Sequence, residues 1–173
     1  MKTKNLIFLD ESSINLGMTR LYGRAKSNQR IYDYVPDVRF KRKSILSGIG
    51  LRGVVAPLVF DGSLNGEVFV KWVSEMLCPL LNKGDIVVMD NLSSHKVKGV
   101  SEAITECGAK IVYLPPYSPD LNPIELMWSK MKSVLRKLKA RTAENFDSAV
   151  CLALDSISLI DISNWFKHDG YGL

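Results

Sequence analysis

The alternation of apolar and polar residues divides the chain into strands and helices. Short apolar runs that end at glycine, proline or acidic residues are typical of strands, whereas apolar residues that recur every three or four positions are typical of amphipathic helices. The segment 12–43 is rich in turn residues and predicts a loop with a short irregular hairpin. The predicted strands are 5–10, 43–51, 52–62, 85–91 and 109–115, and the predicted helices are 66–81, 97–107, 122–140 and 143–157.

The order of these elements predicts the fold class. The first strands follow one another through short links, which is typical of an antiparallel meander. The later strands alternate with helices, which predicts parallel strands joined by right-handed crossovers. We therefore expect an α/β protein with the ribonuclease H-like fold, in which a mixed five-stranded sheet (three antiparallel then two parallel strands) is flanked by helices. Residues 1–173 are expected to form a single domain, since this length supports one self-sufficient core.

Two aspartates follow apolar strands. Asp10 ends the run LIFLD and Asp90 ends IVVMD, and the carboxyl ends of strands are where α/β sheets gather their ligands. A carboxylate there is costly unless it is paired or binds a cation, so the pair indicates phosphoryl transfer with two Mg²⁺ ions. The alternative is a structural role for each, as a cap or loop hydrogen bonder. Glu11 should point to the opposite face of the strand from Asp10, and Asp85 is interpreted as a strand-start or turn residue.

A third acidic group is normally needed to hold the second ion, and Glu125 is the candidate. The competing interpretation is local. Asn122 is a favoured N-cap, Pro123 fits the first helical position, and Glu125 would then reach back to the cap amide. Taken alone, this stretch favours the capping interpretation.

The net charge of +5 is concentrated in one segment, since residues 12–43 carry +6 and the rest of the chain −1. A clustered positive field suits a nucleic acid, and a solvated basic loop is the alternative. On the predicted helix 122–140 a row of cations shares the face of Glu125, with favourable interaction at the helix C-terminus as the alternative. The candidate DNA-binding residues are Arg20, Arg24, Lys41, Arg42, Lys43, Lys132, Arg136 and Lys139.

The cysteines and the apolar runs bear on the compartment. Cys78, Cys107 and Cys151 are widely spaced and lack a CxxC pattern, so we expect free buried thiols rather than disulfides or a zinc site. The first apolar run is too short for a signal sequence, and no later run approaches the length of a membrane span. A cytoplasmic protein is expected.

Three motifs together resemble one enzyme family. FLDES at 8–12, VVMDNLSSHK at 87–96 and YLPPYSPDLNPIELMWSKMK at 113–132 resemble the DDE transposases of the mariner-like and bacterial insertion-sequence group, within the retroviral integrase superfamily. The interval of 34 residues between Asp90 and Glu125 is familiar in that group. With Asp10, Asp90 and this spacing, the favoured interpretation of Glu125 becomes a metal ligand.

The resemblance implies a metal-dependent DNA transposase catalytic domain. Asp10, Asp90 and Glu125 would be the catalytic residues and would bind two Mg²⁺ or Mn²⁺ ions, for phosphodiester hydrolysis and strand transfer at transposon ends. Asn91 and His95 match motif positions and would be auxiliary residues that orient the Asp90 loop or contact the scissile phosphate. The alternatives are a non-catalytic DNA-binding or dimerisation remnant, and a ribonuclease H-type nuclease that cuts without joining.

The resemblance also implies partners. These are transposon ends and target DNA, in the bacterial cytoplasm close to the nucleoid, and paired-end chemistry is compatible with a homodimer. Members of the family usually carry N-terminal helix-turn-helix domains. The first predicted strand begins at residue 5, so no such domain is expected in this chain, and a separate helix-turn-helix subunit or reading frame would supply it.

Overall fold

A computed structural model describes residues 3–37, 40 and 42–172, and its five strands form one mixed sheet. The strand order is β3-β2-β1-β4-β5. β1 is antiparallel to β2 and β2 to β3, whereas β4 is parallel to both β1 and β5. This confirms the predicted arrangement of three antiparallel and two parallel strands. The strands are β1 (Leu6–Ile14), β2 (Lys43–Gly50), β3 (Gly53–Asp61), β4 (Ile86–Met89) and β5 (Lys110–Tyr113).

β1 is longer than predicted, and the extra length determines where the first aspartate lies. β4 pairs with β1 only from Leu6 to Phe8, whereas β2 pairs with β1 as far as Ile14. The strand therefore continues past Asp10 on its antiparallel side alone. Asp10 lies just beyond the point where the parallel neighbour ends, which opens space beside its side chain.

In the part of the chain that the structure describes, five α-helices flank the sheet, and all four helices that the sequence predicted are shorter than predicted, most clearly the first. The predicted helix 66–81 starts as an α-helix but continues as a π-helical turn and a 3-10 turn, where Pro79 has no N–H for the regular helical bond. The predicted helix 97–107 begins only at Val100, because Gly99 before it is left-handed with φ of 102°. The helices are α1 (Gly66–Trp72), α2 (Val100–Glu106), α3 (Ile124–Leu138), α4 (Ala143–Asp155) and α5 (Leu159–His168).

The last helix, α5, was not predicted. Its start carries a capping box, in which the Ser158 hydroxyl accepts from the Asp161 N–H and the Asp161 carboxylate accepts from the Ser158 N–H. The apolar pattern was less clear than the cap. Ile162 and Phe166 are buried, but Leu159 and Ile160 are exposed.

Each face of the sheet has its own apolar core, and strand alternation assigns the residues of β1 between them. Leu6 and Phe8 pack with α3, α4 and α5, whereas Ile7 and Leu9 pack with α1 and α2. The same alternation directs Asp10 towards α3 and Glu11 towards α1 and α2, as predicted for Glu11. The residues of α3 that are buried against the sheet are Ile124, Met127, Trp128, Met131 and Leu135.

The segment between β1 and β2 contains no strand in the part that the structure describes, so the predicted hairpin is absent there. Its first residues, 12–14, belong to β1 instead. Lys41, one of the candidate DNA-binding residues, lies outside the described residues.

Two further expectations concern thiols and membranes. Cys78, Cys107 and Cys151 are free thiols, as predicted, but none is fully buried: Cys78 and Cys107 are partly buried and Cys151 is exposed. Within residues 3–37, 40 and 42–172, none of the helices combines the length and apolarity that crossing a membrane requires.

Candidate active site

Asp10, Asp90 and Glu125 line one cleft at the carboxyl end of β4, where β1 continues past its parallel neighbour. The cleft has a volume of about 370 Å³ and is bounded on one side by the loop 114–119. Asn91 and Asn122 also line it. Three carboxylates that are far apart in the sequence therefore reach the same space, from a strand, from the loop after a strand and from the first turn of α3.

Asp10 is the most deeply placed of these carboxylates. Its Oδ2 accepts a hydrogen bond of 3.0 Å from the Trp128 indole N–H. Burial and the charge of Glu125, with a smaller effect from Asp90, raise the pKa of Asp10 from 3.8 to about 7, although the Glu11 backbone and Trp128 hydrogen bonds oppose the rise. A carboxylate in this position is stabilised by a nearby cation, because a positive charge reverses both unfavourable effects.

Asp90 directly follows β4 and is held by its own loop. Its Oδ1 accepts from the Leu92 N–H at 3.2 Å and lies 2.6 Å from His95 Nδ1. Partial burial opposes ionisation, but the contact and charge of His95, together with the Leu92 N–H, lower the pKa of Asp90 below 3.8. Asp90 is therefore ionised, and its Oδ2 takes part in neither contact.

The N-terminus of α3 does not have the predicted cap. Pro123 is the N-cap residue, and no side chain caps the helix. Asn122 instead closes the preceding 3-10 turn, where its N–H bonds to the Pro119 carbonyl. The alternative interpretation of Glu125, in which it reaches back to a cap amide, is therefore not supported by the contacts of the described residues. The Glu125 side chain is exposed at the cleft.

Asn122 presents an unpaired oxygen at the same place. The residue is 5% exposed, and its Oδ1 is buried without a hydrogen-bond partner among the described residues. A buried carbonyl oxygen without a donor costs about 1–3 kcal/mol, so this oxygen is available to a cation or to a water molecule.

The donor set in the cleft fits a hard divalent cation. The three carboxylates and the side-chain Oδ1 of Asn122 all offer oxygen ligands, which Mg²⁺ and Mn²⁺ prefer. Within the described part of the chain, no three acidic, histidine or cysteine side chains converge closely enough to enclose a single ion. The carboxylates share the cleft, but they do not form a closed cage.

His95 lies behind the cleft, on the other side of Asp90. Its ring is fully buried, and Nε2 lies 3.5 Å from Glu11 Oε2. Burial alone would lower the pKa of His95, but the contacts and charges of Asp90 and Glu11 outweigh burial and raise it from 6.5 to about 9. Neither ring nitrogen has a well-aligned hydrogen bond among the described residues, so both contacts are ion pairs by distance. The sequence motif indicated His95, but it did not indicate Glu11.

The candidate DNA-binding cations fall into two groups. Arg20 and Arg24 lie with Arg136 of α3 along one shallow groove, and Lys132 and Arg136 line a neighbouring groove beside the end of β1. Residues 20–24 of the basic segment and the cationic face of α3 thus line neighbouring grooves and form one surface.

The other candidate cations have different surroundings. Lys139 lies 2.5 Å from Asp33 and Lys43 lies 3.1 Å from Asp61, so the charge of each is partly neutralised within the chain. Arg42 is exposed.

The sequence matches the family described as DDE superfamily endonuclease over residues 5–147. Comparison with curated proteins gave no significant match. The family match includes Asp10, Asp90 and Glu125, the three acidic residues of the cleft.

Solved structures of Mos1 transposase have the same fold. A pre-cleavage Mos1 transpososome matches with a TM-score of 0.75 and 16% identity, over 98% of this chain and 57% of that chain. The Mos1 strand transfer complex matches with a TM-score of 0.73 and 17% identity, over 99% of this chain and 56% of that chain. A Mos1 mariner paired-end complex with Mn matches with a TM-score of 0.72 and 15% identity, over 95% of this chain and 53% of that chain.

The chain spans slightly more than half the length of those transposase chains. The ribonuclease H-like fold expected from the order of strands and helices is thus confirmed by structures of low sequence identity, and the resemblance in the motifs is confirmed by the family match. The chain belongs to the DDE superfamily endonucleases.

Proposed function

We propose that this chain is the catalytic domain of a DNA transposase, which cuts phosphodiester bonds at transposon ends and joins the ends to target DNA. The observation that carries the proposal is the meeting of Asp10, Asp90 and Glu125 in one cleft, in a chain of the DDE endonuclease family. The similarity in fold to Mos1 complexes before cleavage and after strand transfer supports both steps.

Asp10, Asp90 and Glu125 would hold two Mg²⁺ or Mn²⁺ ions. When bound, such ions activate the attacking oxygen and stabilise the leaving oxygen of an in-line displacement at phosphorus. The chain's own residues orient the ligands. The Trp128 N–H fixes one oxygen of Asp10, and the Leu92 N–H fixes one oxygen of Asp90.

Glu125 differs from the aspartates because it stands on a helix. Its backbone is held where α3 begins, by the bond from its N–H to the Asn122 carbonyl at 3.0 Å. Its carboxylate remains exposed to the cleft. Glu125 therefore faces the cleft as an exposed ligand, whereas Asp10 is held by the Trp128 hydrogen bond.

The basic surface beside the cleft would hold the DNA backbone. Lys132 and Arg136 on α3, with Arg20 and Arg24 on the facing segment, lie where they can neutralise phosphates. Such contacts position DNA without reading its sequence. Recognition of particular transposon ends would therefore come from a helix-turn-helix part or subunit, and a homodimer would bring two ends together, in the cytoplasm near the nucleoid.

The proposal is tested with DNA duplexes that end at the boundary of the mobile element carrying the gene. Pre-cleaved ends and a target plasmid are incubated with Mg²⁺ or Mn²⁺, and nicking and joining are measured. We expect both activities in the wild type and neither in Glu125→Gln. Glu144→Gln is the matched control, because Glu144 is also an exposed glutamate in the first turn of a helix, and it should retain both.

The other outcomes have distinct meanings. Nicking without joining would identify a nuclease that only cuts. Wild-type protein that binds DNA but neither nicks nor joins, even with a helix-turn-helix partner added, would identify a non-catalytic remnant. Activity that survives in Glu125→Gln would overturn the assignment of the three acidic residues.

A further inference from the structure

Beyond the three residues of the cleft, a fourth carboxylate lies on the opposite face of β1. Glu11 is the sequence neighbour of Asp10, yet it points towards α1 and α2, where it meets His95. No step of the proposed reaction uses Glu11 directly. We propose that Glu11 and His95 are positioning residues that hold the Asp90 carboxylate at a fixed distance from Asp10. This inference rests on the proposed function and names the residues that support its site.

The need for such a support follows from the sheet. Backbone pairing between β1 and β4 stops at Phe8 and Val88. Asp10 and Asp90 both lie beyond that last pair, so no ladder hydrogen bond between the two strands sets their separation. The contact of Glu11 with His95, and of His95 with Asp90, spans this gap from behind.

His95 is well suited to the bridging position. Its ring is fully buried and packs on Phe69 with ring centroids 4.5 Å apart. Its backbone is fixed on both sides, by its own N–H to the Leu92 carbonyl at 3.1 Å and by the Tyr113 hydroxyl, which donates to its carbonyl at 3.4 Å. The ring therefore cannot move aside without disturbing the packing around it.

The two ring nitrogens of His95 contact different carboxylates. Nδ1 lies 2.6 Å from Asp90, and Nε2 lies 3.5 Å from Glu11. The ring holds Asp90 through the first contact and is itself oriented by the second. Partners of this kind, one step removed from an ion, commonly change metal affinity or activity by about 10–100-fold when they are removed.

Two substitutions at position 95 separate the contacts. The amide nitrogen of asparagine occupies about the place of Nδ1, and that of glutamine about the place of Nε2. His95→Asn would keep a donor facing Asp90, whereas His95→Gln would keep one facing Glu11 only. We expect the order wild type, then His95→Asn, then His95→Gln in both Mn²⁺ affinity and cleavage rate. Glu11→Gln should fall below the wild type as well.

The experiment measures two quantities on each folded variant. Mn²⁺ binding is titrated without DNA by electron paramagnetic resonance, and kcat and KM are measured for cleavage of end DNA. We expect Glu11→Gln and His95→Gln to lower Mn²⁺ affinity and kcat by about 10–100-fold, with KM for DNA changed less than about twofold. The control is Glu102→Gln, which removes the negative charge from a carboxylate that accepts from the Gly99 N–H on the same face of the sheet, and it should change neither quantity.

The failures are distinguishable. If the wild type binds Mn²⁺ and cuts DNA while Glu11→Gln and both His95 variants stay within twofold of it, the positioning role is wrong and the proposed function stands. If the wild type neither binds Mn²⁺ nor cuts, the proposed function fails and this inference with it. Should His95→Gln fail to fold, Glu11→Gln and His95→Asn decide the question. Loss of folding stability in them without loss of Mn²⁺ affinity would show a purely structural role.

Discussion

Asp85 and Asp10 lie at opposite ends of the same sheet, and the groups around them differ in charge. Asp85 precedes β4 and is 1% exposed, but Arg52 lies 2.5 Å from its Oδ2 and the Asn82 N–H donates to the same oxygen at 2.8 Å. Asp10, beyond the other end of β4, has the Trp128 N–H and two further carboxylates as neighbours. The buried Asp85 has its cation within the chain, whereas the partly buried Asp10 has none among the residues that the structure describes.

The difference separates a structural carboxylate from a functional one. A buried charge is tolerated when a partner of opposite sign compensates for lost hydration. Asp85 meets that condition and closes the end of the sheet away from the cleft. Asp10 does not meet it, so the folded chain keeps an unfavourable arrangement that a divalent cation would relieve.

The strongest test of this contrast is the loss of activity at the cleft. Asp90→Asn should reduce cleavage of end DNA by at least about 10³-fold, because a metal ion stabilises the transition state by several kcal/mol. Stability should also fall, because the change removes the negative charge that faces the buried His95 ring, so cleavage is compared per folded molecule. The measurement is the single-turnover cleavage rate together with the urea midpoint. A variant with normal cleavage would remove Asp90 from the site.

The matched test at the other end of the sheet predicts the opposite result. Arg52→Met leaves the buried Asp85 without its cation and should lower the free energy of unfolding by roughly 2–4 kcal/mol. This is somewhat less than the roughly 3–5 kcal/mol of a fully buried pair, because Arg52 is half-exposed. Cleavage per folded molecule should remain at the wild-type level. Urea unfolding and an activity assay well below the unfolding midpoint check both parts. Loss of activity in the folded fraction would break the contrast.

The pH dependence of stability sharpens the comparison at Asp10. Its pKa of about 7 in the folded protein exceeds the ordinary 3.8. The folded state therefore binds the proton more tightly, and stability falls as the pH rises from about 4 to about 7. In EDTA, Asp10→Asn should lack this decline and be roughly 1–2 kcal/mol more stable than the wild type at pH 8. This difference is smaller than the full pKa shift would give, because solvent in the cleft screens the charges. Equal pH profiles in urea unfolding would contradict the assignment.

The smallest expected effect is on DNA affinity, and it compares cations at α3 that are paired with a carboxylate with cations that are not. Lys132 and Arg136 line the grooves beside the cleft without a carboxylate partner among the described residues, whereas Lys139 is paired with Asp33. Lys132→Ala and Arg136→Ala should each weaken DNA binding several-fold and reduce the salt dependence by about one ion. Lys139→Ala should have a smaller effect on both. Fluorescence anisotropy at several salt concentrations measures this, and equal losses in all three variants would show that pairing within the chain is irrelevant.

Much of the fold and two of the acidic residues could be predicted from local sequence. The apolar runs before Asp10 and Asp90 are readily interpreted as strands. Because the two strands pair in parallel, the aspartates that follow them lie at the same edge of the sheet. Helix α5 was missed because Leu159 and Ile160 stay exposed and blur the period, although Ser158 and Asp161 form a recognisable capping box.

The orientation of Glu125 and the role of Glu11 depend on tertiary structure. The sequence around Asn122 is typical of a capping box, but the 3-10 turn Pro119–Leu121 uses Asn122 to close itself, which leaves Glu125 uncapped. Glu11 lies near His95 across the sheet face, where the His95 ring packs on Phe69 of α1. Neither the missing cap at Glu125 nor the position of Glu11 near His95 can be predicted from the neighbouring sequence alone.

The most direct test of the central claim is the binding of Mn²⁺ to the DNA-free protein, measured by isothermal titration calorimetry in the wild type, Glu125→Gln and Glu144→Gln. If Asp10, Asp90 and Glu125 form a divalent cation site, the wild type and Glu144→Gln will bind Mn²⁺ alike, and Glu125→Gln will lose an ion or bind at least about tenfold more weakly. Identical titrations for all three proteins would contradict the account.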